Sequence, residues 1–123
     1  MKNEICINGI NYEFKFGIGF MREINREVRA AVPGVEGNVK RDLGLKYRIS
    51  EIFDGDIDAL VHVLEVANKT CEPRIPRAAL EEYIEDPGTD IDALFETVKG
   101  FFATANCCKT AYAAVEKEAK KQK

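Results

Sequence analysis

ICINGINYEFKFGIGFMREIN, residues 5–25, is the stretch on which the fold turns. Asn8-Gly9 stands between two alternating runs, the strongest short-range signal for a two-residue type I′ turn. With those residues at the turn's centre, Ile7 pairs with Ile10, Ile5 with Tyr12 and Asn3 with Phe14, all on one face of a ribbon. The other face carries Glu4, Cys6, Asn11, Glu13 and Lys15. Such a ribbon is marginal alone and must lay its apolar face on something. The nearest partner is a helix predicted to begin at Gly17-Ile18 and to run to Val32. In it Met21, Ile24, Val28 and Ala31 recur at helical spacing, while Arg22, Glu23, Arg26, Glu27 and Arg29 form the opposite, solvated face. Hairpin on helix is the expected nucleus.

Outward from that nucleus, the chain of 123 residues suits one domain, 1–123, able to bury a core without disulfides or metal. A formal net charge of -3 argues against a nucleic-acid partner, which calls for a basic surplus. No apolar run approaches the ~20 residues that span a bilayer, and MKNEICING lacks a signal-peptide core. The expectations are no membrane, no nucleic acid and a cytoplasmic location. Cys6, Cys71, Cys107 and Cys108 show no metal-ligand spacing and are expected as free thiols.

The rest of the chain reads as helices. Proline and glycine between Pro33 and Asn38 predict a loop. A second helix is expected over 39–53, with Val39, Leu43, Leu45, Tyr47, Ile49, Ile52 and Phe53 inward and Gly44 as a weak point. Gly55 suits its left-handed end and Asp56 the next cap. The third helix, to Asn68, carries the stripe Ile57, Leu60, Val61, Leu64 and Ala67, widened by Val63 and Val66. It lies either centrally in the bundle or against another copy. Pro73 and Pro76 mark an extended connector, with Pro76 opening a fourth helix that turns Leu80, Tyr83 and Ile84 inward and ends before Pro87-Gly88. Thr89 and Asp92 resemble a capping box for the fifth helix, whose stripe is Ile91, Leu94, Phe95, Val98, Phe101 and Phe102. Asn106-Cys107-Cys108 interrupts, and a sixth helix with Tyr112, Val115 and Ala119 fades into a frayed basic end over 117–123. The fold class is α+β: an N-terminal antiparallel β-hairpin packed on a mostly helical body of five to six helices. The echo of Asp56–Leu60 in Asp90–Leu94 reads as two independent acidic helix starts.

Candidate chemistry is thin. Gly17-Ile18-Gly19 lacks the third glycine of a dinucleotide loop, Arg22 standing in its place, so a sharp junction and close packing are the better reading. Asp54, Asp56 and Asp58 lack the Gly and Glu of a calcium loop, and capping accounts for them. His62, the one histidine, is expected to face solvent, and no base accompanies Cys107-Cys108. Catalysis, metal and cofactors are not expected. Both hairpin edges are open to another chain. Val63, Val66, Phe101, Phe102 and Tyr112 exceed a minimal helical stripe and are the candidate protein-interaction residues, the alternative being that they fill one core.

The run IxINGxxYEFKFGIGFMREIN, the acidic start at Asp56, the Pro73–Arg77 segment and DIDALFETV at 90–98 together resemble the tail assembly chaperones of long-tailed bacteriophages and prophages of Gram-positive bacteria. The likeness covers most of the chain. It implies a non-enzymatic chaperone that binds the tape measure protein, helps major tail tube protein subunits polymerise around it in the bacterial host cytoplasm, and is absent from the mature virion; the open ribbon edges and the wide apolar faces of the third and fifth helices add the expectation of a homo-oligomer. The family often makes a longer frameshifted form. Chemistry alone gives a second possibility, a small helical regulatory or adaptor protein that binds another protein.

Overall fold

The structure, a computed structural model, describes residues 3–31 and 43–121. The expected loop at 33–38, the first turn of the second helix at Val39 and the last two residues of the basic end lie outside them, as do the side chains of Val28, Arg29, Ala31 and Leu43. The hairpin comes first, β1 (Glu4–Ile7) antiparallel to β2 (Ile10–Glu13) in a two-stranded sheet. Asn8 and Gly9 both hold positive φ, 55° and 82°, as a type I′ turn demands. The register is the expected one: Ile7 faces Ile10, Ile5 faces Tyr12, and the Phe14 amide donates to the Asn3 carbonyl at 2.8 Å. Glu4, Cys6 and Asn11 are exposed while Ile7, Tyr12 and Phe14 are buried, so the ribbon has the two faces its alternation predicts. Ile10 departs from the pattern; at the turn the ribbon overhangs the body and leaves it 46% exposed.

Helices α1 (Ile18–Ala31), α2 (Leu43–Phe53), α3 (Ile57–Asn68), α4 (Arg77–Glu85), α5 (Ile91–Thr104) and α6 (Lys109–Lys121) follow. With the hairpin they make the α+β architecture that the patterning predicts. α1 packs chiefly on α2, and the hairpin is bonded to the end of α3 rather than to α1. The Lys15 amide donates to the Ala67 carbonyl at 2.7 Å, and Asn68 Nδ2 donates to the Glu13 carbonyl at 2.9 Å. These contacts satisfy one of the carbonyls that the last turn of a helix leaves free.

α3 is the central helix. Residues 59–61, 63, 64 and 66–68 are all buried, because α1, α2 and α4 pack against it from different sides. Ile57, assigned to its inward stripe, is instead 43% exposed, since it stands at the first turn before those neighbours close over the helix. Asp56 caps α3, its carboxylate accepting from the Ala59 amide at 3.1 Å, and Gly55 holds φ 75° as the expected left-handed end of α2.

Three local readings need correction. Pro76 is the cap of α4 and not its first residue, with Arg77 opening the helix. Asp90, not Thr89, caps α5, accepting from the Ala93 amide at 3.0 Å; the Thr89 hydroxyl is taken up by donation to the Tyr83 carbonyl at 2.6 Å. Gly44 is a contact and not merely a weakness: a Cβ built there would lie 2.6 Å from the Asn25 Cα. Beside it Asn25 Oδ1 accepts from the Leu45 amide at 2.8 Å, so glycine and asparagine together let α1 and α2 approach backbone to backbone. The close-packing role expected of Gly17 and Gly19 belongs to Gly44; a Cβ at Gly19 would meet nothing within 4 Å.

Candidate protein-interaction surface

The interior is aromatic where hairpin, α1 and α5 meet. Phe16 lies between Phe20, Phe101 and Phe102, with ring centroids 4.9, 5.6 and 5.1 Å away, two of the pairs edge-on. Those separations are the favoured ones for aromatic pairs. Of the five candidate residues, Val63, Val66 and Phe102 lie inside this core, with Val63 and Phe102 fully buried. Phe101 and Tyr112 are half-buried at its margin. Tyr112 stacks on Phe53 at 5.5 Å, and Lys99 Nζ lies 4.7 Å from the centroid of the same Phe53 ring. Burial, then the nearby Glu116 and Glu96 carboxylates, push the Tyr112 phenol above its ordinary range, so its hydroxyl stays a neutral donor.

Two other apolar side chains, on α1 and α2, are more exposed than Phe101 and Tyr112. Ile18 is 54% exposed and Tyr47 49% exposed, although Tyr47 was expected on the inward face of α2. Ile18 borders a groove of about 550 Å³ between the start of α1 and the end of α3, with Phe20 and Val66 in its wall and Lys15 and Lys69 at its rim. A second groove, of about 390 Å³, runs between α2 and α6, with Val115 as floor and Lys46, Lys117 and Lys121 around it. Both are shallow and open, which suits a protein partner better than an enclosed small molecule.

The polar face assigned to α1 is where α3 crosses. His62 Nε2 meets Glu27 Oε2, and Lys69 Nζ meets Glu23 Oε2 at 3.0 Å, so His62 is half-buried and paired instead of facing solvent. Seven positions separate His62 on α3 from Lys69, which caps the end of that helix, and a single turn separates Glu27 from Glu23 on α1. That spacing carries the signal, but only once the antiparallel crossing is known.

Cys108 is fully buried, its thiol donating to the Phe16 carbonyl at 3.8 Å, and burial pushes its pKa up to about 12. A nucleophilic thiolate is therefore not available there. All four cysteines are free. Asp56 is occupied as a helix cap, and among the described residues no group of three or more His, Cys, Asp or Glu is placed to hold a metal ion. Among the same residues no helix is long and apolar enough to cross a membrane.

A hairpin tied to a six-helix body, with open grooves at its surface, defines a small, mostly helical α+β domain. The family model of phage tail assembly chaperone protein, TAC, matches residues 4–117, and the chain belongs to that family. Its partners are therefore proteins of tail assembly. No curated protein and no solved structure matches the chain.

Proposed function

We propose that the chain is a non-enzymatic chaperone that binds the tape measure protein in the bacterial host cytoplasm, promotes tube assembly by the major tail tube protein around it, and is left out of the finished virion. The observation that carries this is the family match, which spans the hairpin and all but the end of α6. The surface is consistent with it. Ile18, Tyr47, Phe101 and Tyr112 offer apolar contacts at separate places on the molecule, each modest in area. A very long client needs many copies, and weak contacts multiplied along it hold a coat that tube subunits can displace. Copies of the chain contacting one another along the client would add to that avidity.

Co-expression with the tape measure protein tests the reading. The expected result is a co-purifying complex and a more soluble client, with Phe101→Asp or Tyr112→Asp variants weakening the complex while remaining folded. Mass spectrometry of purified virions should find no copy of the chain. Absence of any complex, with no gain in client solubility and a strict monomer in light scattering at high concentration, would overturn the proposal in favour of an adaptor with another partner.

A further inference from the structure

The two edges of the hairpin are not equivalent. On the β2 side the ribbon is tied to the body: the Glu13 carbonyl accepts from Asn68 Nδ2, and the Lys15 amide, just past the strand, donates to the Ala67 carbonyl. Along β1 the outward residues are Glu4 and Cys6, because Ile5 and Ile7 direct their amides and carbonyls at β2. Both Glu4 and Cys6 are exposed, and among the described residues nothing bonds to their backbone groups. β1 therefore presents an unpaired strand edge of the kind that accepts an added strand.

Side-chain charge says what that strand carries. Glu4 stands directly opposite Glu13, an arrangement in which like charges repel. No cation among the described residues forms an ion pair with either carboxylate. Lys15, two residues past the end of β2, has its Cε 3.5 Å from where a Cβ on Gly17 would be and forms no ion pair with Glu4 or Glu13. A lysine or arginine on a strand laid beside β1 and level with Glu4 would relieve the repulsion. On the opposite face the same strand would meet Ile5, which is half-buried and has room for an apolar neighbour. A second copy's β1 is the less suited occupant, since antiparallel registers that set Glu4 against Glu4 or Cys6 bring the carboxylates of both copies together, and of the pairings between the outward residues only Cys6 against Cys6 keeps them apart.

We propose that the β1 edge is a docking site for an extended segment of a partner protein in which basic and apolar residues alternate, paired backbone to backbone with Glu4 and Cys6. The site is separate from the helical surfaces above and does not depend on which tail protein is the client.

The test uses the full-length chain, labelled with ¹⁵N, and a synthetic eight-residue peptide alternating lysine and valine. Two control peptides accompany it, one with glutamate for lysine and one N-methylated at every second amide on the edge-facing side. The expected result is slowed exchange of the Glu4 and Cys6 amides with the lysine peptide, and affinity at least about tenfold weaker for both controls. Glu4→Lys should reverse the preference between the lysine and glutamate peptides. Cys6→Pro removes one outward amide without touching the ladder to β2, and proline is tolerated at such an edge; it should weaken binding by a similar factor. Equal affinity for the N-methylated peptide, or protection confined to residues away from β1, would overturn the proposal. So would a dimer of the chain that Cys6→Pro dissociates, since the occupant would then be a second copy.

Discussion

Asp-Ile-Asp-Ala-Leu occurs at 56–60 and again at 90–94, and the two copies begin alike and end differently. Each first Asp caps its helix through the amide three residues on, and each second Asp lies in the first turn. From there the fates separate: Ala59 is buried and Ala93 exposed. α3 buries eight of its twelve residues and α5 only four of its fourteen, so α3 is surrounded while α5 shows one stripe. The same five residues therefore specify where a helix starts but not what covers it. Covering is decided by neighbours: α1, α2, α4 and the hairpin close on α3, whereas α5 rests mainly on α6 and α2.

The largest test is at the twelfth residue after each cap, Asn68 in α3 and Phe102 in α5. Both are buried, yet only one is polar. Asn68 donates to the Glu13 and Pro73 carbonyls at 2.9 and 3.2 Å and accepts from the Ile75 amide at 2.7 Å, joining hairpin, helix and connector in one side chain. Asn68→Leu would make the two positions chemically alike and leave the buried Ile75 amide unpaired. A loss of about 3 kcal/mol in urea denaturation is expected; a loss under about 1 kcal/mol would show that the joint is dispensable.

Glycine substitutions should then differ in sign between a crowded helix and an open one. Gly44→Ala drives a Cβ against the Asn25 backbone and should destabilise by about 2 kcal/mol. Gly100→Ala in α5 meets nothing within 4 Å and should stabilise by up to about 1 kcal/mol, the ordinary helix-propensity gain. Thermal unfolding of the two variants side by side decides it, and a gain at Gly44 would mean that α1 and α2 can move apart. Ala59→Leu and Ala93→Leu repeat the contrast inside the duplicated stretch. The first is expected to lose about 2 kcal/mol by overpacking, the second to stay within about 0.5 kcal/mol.

These contrasts also show why some features were legible in the sequence and others were not. Turn and cap chemistry is local: Asn8-Gly9 set the hairpin register, Gly55 and Asp56 set the break between α2 and α3, and the helix boundaries within the described residues, the start of α2 aside, followed within a residue or two. Facing is not local. Val63 and Val66 looked superfluous on a one-sided stripe because the number of helices around α3 cannot be read from α3, and Phe102 on α5 because Phe16 and Phe20 are brought against it only by the fold. Conversely Tyr47 and Ile57 fit an inward periodicity but sit where no neighbour reaches. Glu23 and Glu27 read as a solvated face because their partners, Lys69 and His62, are brought in by a crossing about 40 residues away. Of the candidate surface, Phe101 and Tyr112 were legible. Ile18 was lost as the first residue of a helix rather than weighed as an exposed one.

Buried and half-buried thiols at adjacent positions give a smaller, pH-dependent contrast. Cys108 has its pKa raised from 9.0 to about 12 by burial, so the folded chain keeps a proton that the unfolded chain releases above pH 9. Stability then falls as pH rises through that window, by at most about 1.4 kcal/mol per pH unit, and the contribution is fully present below pH 9. Cys108→Ala should flatten the decline measured from pH 8 to pH 10.5, whatever its baseline stability. Slopes that agree in wild type and Cys108→Ala would place the thiol in contact with water.

The smallest expected effect concerns what the two copies share. If the cap is a local device, Asp56→Ala and Asp90→Ala remove the same thing: one carboxylate accepting one amide, at 3.1 and 3.0 Å, with its charge beside a helix N-terminus. Each should cost about 1 kcal/mol, and the two costs should agree within about 0.5 kcal/mol despite the difference in burial downstream. Asn replacements should recover most of the loss, because the amide oxygen still accepts while only the charge is gone. A much larger cost at Asp56 would mean that the cap is coupled to the packing of the central helix. The Leu60 amide donates to the Asp56 carbonyl at 3.1 Å, as the Leu94 amide does to the Asp90 carbonyl, so the backbone part of each helix start stays in place when the side chain is removed. Equal costs are therefore the outcome that keeps start and covering separable, and urea titrations of the two alanine variants measure them directly.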